Sequence, residues 1–93
     1  MNKNKLDKVR NQIDKLDVKL LNLIKIRTKL VNKVIKLKKY KKQIVDKKRI
    51  KKVLKKIKKN SIKKKIDPKI TVKIWSSMIN GYIDYEKRNF YKK

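Results

Sequence analysis

The chain is predicted to be all-α, with three helices in the order long, short and medium forming one domain over residues 1–93. Three observations predict this. Apolar residues step by three and four through the first forty positions. Neither Gly nor Pro interrupts residues 5 to 40. An Asp-Pro pair at 67–68 opens a second long apolar series, and no strand signal or internal repeat occurs.

The first helix carries its apolar series at Leu6, Val9, Ile13, Leu16, Leu20, Leu23, Leu30, Val34 and Leu37. Arg27 fills the one vacant place, between Leu23 and Leu30. At about 1.5 Å per residue this helix is roughly 50 Å long, wider than a compact domain of this size. The remaining residues are too few to cover its stripe, so the helix is expected to pack against its own copy in a dimer. Residues 39–45 (KYKKQIV) break the rhythm and read as a loop. Asp46 is a cap for the second helix, whose buried side takes Ile50, Val53, Leu54, Ile57 and Ile62. Asp67 followed by Pro68 starts the third helix, burying Ile70, Ile74, Trp75, Met78, Ile79, Tyr82 and Ile83. Glu86 continues that stripe. Gly81, costing about 1 kcal/mol inside a helix, is expected to mark close packing.

The net charge is +26, from 33 Lys and Arg against seven Asp and Glu. Lysine appears evenly spread, as a compositional drift toward Lys, Ile and Asn would leave it, and the chain has no Ala, Cys or His. Whatever its origin, this field attracts small anions and raises their encounter rate. Disulfides and thiol chemistry are excluded, and a transition-metal site is not expected. No apolar run approaches the roughly 18–20 residues that span a bilayer. Met1 to Lys8 hold no apolar core of a signal peptide, so the expected location is the cytoplasm.

Of the 33 cations only Arg10, Arg27, Arg49 and Arg88 are arginine, and Glu86 is the single Glu beside six Asp. Guanidinium grips a carboxylate as a planar fork, whereas ammonium is a mobile point charge. Arginine kept in so lysine-rich a chain, on or beside apolar faces, points to a pocket for a small dianion. Arg27 on a buried stripe costs several kcal/mol unless an anion meets it. That anion is either Asp14 or Asp17, in a salt bridge within or across chains, or a bound ligand. Arg10 lies about 25 Å away along the helix, so antiparallel copies would bring one chain's Arg10 to the other's Arg27. Lys38, eleven residues after Arg27, returns to the same face.

Glu86 is either a surface partner for a Lys or a partly buried group. Burial on that face favours the neutral acid, which donates a hydrogen bond. Arg49 pairs with Asp46 one turn earlier, Arg88 is solvated, and Trp75 is core. With no His or Cys and one Gly, no nucleophile–base pair or Gly-rich phosphate loop is available. An enzyme of this composition works by positioning and fixed charge.

The run LDKVRNQIDKLDVKLLNLIKIRTKLVNKVIKLK resembles the first helix of the all-helical chorismate mutases: an early Arg, I-D-x-L-D-x-x-L-L-x-L, a second Arg, and a Lys eleven residues on. The D-x-x-R of Asp46 and Arg49, the I-D-P at 66–68 and W-x-x-M-I-x-x-Y-I-x-x-E from Trp75 to Glu86 continue it, so the resemblance covers residues 6 to 90. It implies an intertwined homodimer of three-helix chains that rearranges chorismate to prephenate in aromatic amino-acid biosynthesis, without a cofactor. Arg10 of one chain and Arg27 of the other would clamp the two carboxylates. Lys38 and Glu86 would bind the ether oxygen, with Arg49 supporting the ring or carboxylate region and Asp46 fixing the loop.

Three positions depart from the family pattern. Ile50 stands where many members carry a Glu that meets the substrate hydroxyl, a feature shared with the related isochorismate-pyruvate lyases. Glu86 stands where many bacterial members carry Gln, so activity is expected to fall as pH rises. Tyr82 replaces a small hydroxyl residue and is expected to reshape the carboxylate end. The alternatives are the lyase, a basic helical dimer on nucleic acid, and a decayed enzyme retaining only the fold. The nucleic-acid reading rests on Lys density between residues 36 and 65. The scarcity of stacking aromatics there, Tyr40 excepted, leaves nucleic acid as a non-specific partner at most.

Overall fold

Two aspartates and a proline divide the chain where a helix must begin. The computed structural model describes residues 3–90. It contains α1 (Lys3–Leu37), a 3₁₀ turn at Lys41–Gln43, α2 (Lys47–Lys63) and α3 (Pro68–Arg88), with no strand among the described residues. The long–short–medium order holds, with α1 ending at Leu37. No helix of the described residues is long and apolar enough to cross a membrane.

The chain divides between Lys33 and Val34 into two compact units. The first is α1 up to Lys33. Its apolar series lies open, with Leu16 57%, Leu23 61% and Leu30 55% exposed. Arg27, in the middle of that series, is half-buried.

The second unit begins with the last turn of α1 and contains α2 packed on α3. Asp46 caps α2 by accepting from the Arg49 N–H at 3.0 Å, and Asp67 caps α3 by accepting from the Lys69 N–H at 2.9 Å. Each satisfies a donor that the first helical turn would otherwise leave open. Replacing Asp67 with Ala is expected to lower unfolding free energy by about 1 kcal/mol, read from urea denaturation. An unchanged midpoint would show that water serves that N–H equally well.

α2 closes on Lys65, whose φ of 58° is left-handed. The Lys65 N–H reaches the Ile62 carbonyl at 3.1 Å and the Ile66 N–H reaches the Ser61 carbonyl at 2.9 Å, the paired bonds of a Schellman closure. Ser61 is 4% exposed. Its hydroxyl donates to the Ile57 carbonyl at 2.6 Å. Its single proton is thereby used, so the 2.6 Å contact with Thr71 Oγ1 is a bond that Thr71 donates.

Three expectations of burial fail. Ile62 is 58% exposed, and Ser61 takes the covered place at that end of α2. Ile70 and Ile74 are 56% and 49% exposed, on the side of α3 turned from the half-buried Trp75, Ile79 and Tyr82. Gly81 shares that open side, and a Cβ built there would meet nothing within 4 Å. For the α3 residues the cause is shared: α3 carries apolar residues on two sides, and α2 covers one of them. Among the described residues, the buried apolar side chains are Ile35 and Ile44, at 7% and 4% exposed.

Candidate active site

Lys38 follows α1 directly, its N–H still bonded to the Val34 carbonyl at 3.1 Å. Helical direction is therefore kept to the point where the side chain leaves. The Lys38 ammonium donates to Glu86 Oε1 at 3.0 Å and reaches the Ile44 carbonyl at 3.5 Å. Lys38 and Glu86 are 48 residues apart, and their side chains are 20% and 11% exposed. In such cover a carboxylate is held by its counter-charge, and removing one partner strands the other. In this arrangement Glu86 is the acceptor of the Lys38 ammonium.

The bend carrying Lys38 is braced by Gln43, whose Oε1 accepts from the Lys39 N–H at 2.8 Å and the Tyr40 N–H at 2.9 Å. Sequence reading missed Gln43. The signal available was its place three residues after Tyr40, where a Gln reaches back to an open N–H.

Beside Lys38 lies an open groove of about 520 Å³ lined by Lys38, Gln43, Val45, Asp46, Lys47 and Lys48. That volume lies within the usual range for small-molecule sites. Three lysines and one aspartate line it at the N-terminus of α2, so the groove favours an anion. Val45, Lys47 and Lys48 carried no signal in the sequence, being set by how the loop turns into α2.

The remaining candidates take different places. Asp46 lines the groove, but its carboxylate serves the Arg49 backbone rather than the guanidinium, which is exposed. Ile50 is half-buried, and its N–H bonds the Asp46 carbonyl at 3.0 Å. Tyr82 is half-buried one turn before Glu86, edge-on to Tyr85 with ring centres 6.2 Å apart. Arg10 is exposed on α1, in the first unit with Arg27. The second unit thus brings together Lys38, Asp46 and Glu86, and adds Gln43. No group of His, Cys, Asp or Glu able to hold a metal ion occurs among the described residues.

A family model described as chorismate mutase type II matches residues 9–87. No curated protein and no solved structure matches the chain.

Proposed function

Since the chain belongs to the chorismate mutase type II family, we propose that it catalyses the rearrangement of chorismate to prephenate in aromatic amino-acid biosynthesis, in the cytoplasm and without a cofactor. The observation that carries this reading is the 3.0 Å approach of Lys38 to Glu86 beside an anion-favouring groove. The reaction is unimolecular: one C–O bond breaks as one C–C bond forms, and negative charge gathers on the ether oxygen. A million-fold enhancement requires roughly 8 kcal/mol of transition-state stabilisation. Charge-assisted donors fixed in a water-poor pocket supply energy on that scale.

Each residue has one task in this reading. Lys38 donates to the ether oxygen, and Glu86, parted from Lys38 and protonated as the substrate binds, donates from the other side. Arg10 of one chain and Arg27 of its copy hold the two carboxylates, which requires an antiparallel homodimer. The open apolar series of α1 supports that assembly, because a second copy supplies the cover one chain lacks. Arg49 supports the ring or carboxylate region, Asp46 holds the loop in register, and Tyr82 shapes the carboxylate end.

Glu86 sets the pH response. A carboxyl must hold its proton to donate, so activity is expected to decline as pH rises. Glu86→Gln, whose amide donates at every pH, is expected to remove that decline. A rate–pH profile in which both proteins fall together would remove Glu86 from the donor role.

A second reading is favoured by Ile50 alone. Its apolar side chain offers no partner for a substrate hydroxyl, as in isochorismate-pyruvate lyases. Following the loss of chorismate and of isochorismate in separate reactions of purified protein decides between the two. Loss of neither would leave a fold without this chemistry.

A further inference from the structure

The cations are not evenly placed. Residues 47–66 hold twelve of the 33 and no acid, whereas the other 73 residues hold 21 cations and all seven acids. Compositional drift raises lysine everywhere and does not account for a segment of twice the density. The structure sorts this segment by side. Ile50, Val53, Leu54 and Ile57 are half-buried in the unit where α2 packs on α3. The lysine pairs at 47–48, 51–52, 55–56 and 58–59 are all exposed. At about 100° per residue those pairs form a continuous outer face, with Ile62 its one apolar interruption. The closing turn extends it with Lys63, Lys64 and Lys65, and Lys65 occupies a left-handed position that Gly or Asn fills at lower conformational cost.

We propose that this outer face of α2 binds the phosphate backbone of nucleic acid without regard to sequence. The scale fits: 17 helical residues span about 25 Å, along which a duplex presents roughly 15 phosphate charges. Lysine suits the task, since a mobile ammonium follows a regular line of charge without demanding bidentate geometry. A lipid surface is the poorer match, because a helix lying on a membrane inserts its apolar side, and here that side packs on α3. Lys47 and Lys48 at one end of this face also line the groove beside Lys38, but Lys51, Lys55, Lys58 and Lys59 lie outside it and have no task in the reaction, so variants of those four test the binding separately.

The test measures anisotropy of a labelled random-sequence DNA duplex of about 20 base pairs with the full chain, from about 50 to 200 mM salt. Affinity is expected to fall by about 10³ or more, the mark of six or more released counterions. Replacing Lys51, Lys55, Lys58 and Lys59 with Gln is expected to flatten the log–log slope by about three to four. Replacing Lys15, Lys19, Lys29 and Lys33 on α1, also exposed, is expected to leave it within about one. Equal flattening in both variants would show that net charge alone binds, and overturn the assignment to α2. Absence of binding at the lowest salt would overturn it too. So would capture by phosphatidylserine vesicles, through the same four lysines, with none by the duplex.

Discussion

Lys38→Met is expected to slow the loss of chorismate by about 10²–10³, the usual effect of deleting one donor aimed at developing negative charge. Methionine keeps an unbranched apolar stem and removes only the donor. The substitution also strands the Glu86 carboxylate under cover, which costs about 3–5 kcal/mol when burial is complete. With side chains 20% and 11% exposed the loss is smaller, and a lowered melting temperature accompanies the lost rate. The variant Lys38→Met/Glu86→Gln separates the two effects. It holds no buried charge, so it regains stability without regaining activity. A stable double variant turning over at the native rate would end the assignment of Lys38 to the reaction.

Mixing two inactive proteins tests the shared site. Arg10→Ala and Arg27→Ala are each expected to lose at least about 10² in kcat/KM, since each removes a charge-assisted grip on a carboxylate. When the two are mixed and allowed to exchange subunits, half of the dimers are mixed, and each mixed dimer holds one intact site and one doubly damaged site. Activity should recover to about a quarter of the native rate. Recovery requires that the arginines serving one site come from different chains. No recovery, with exchange verified by mass, would place both arginines in one chain's site or outside the reaction.

Much of this was legible in the sequence, for identifiable reasons. Asp67-Pro68 and Asp46 act within one helical turn, so local chemistry alone located both helix starts. The vacancy filled by Arg27 is visible because periodicity makes a substitution in a stripe stand out. The contact between Lys38 and Glu86 is different in kind. It joins the end of α1 to the last turn of α3, and no period within either helix carries that information. The misplaced residues Ile70 and Ile74 have the same origin. A 3.6-residue rhythm shows that a helix has an apolar side, but the partner decides which of two such sides is covered.

On the proposed reading, the clasp between Lys38 and Glu86 makes ligand entry an exchange. Each group already has the other as its partner, so the geometry of the pair does not depend on a guest. A newcomer must part them before it gains either contact, and its apparent grip is what remains after that parting. Selectivity follows, because a molecule bringing charge but no acceptor to the gap has nothing to offer the separated pair.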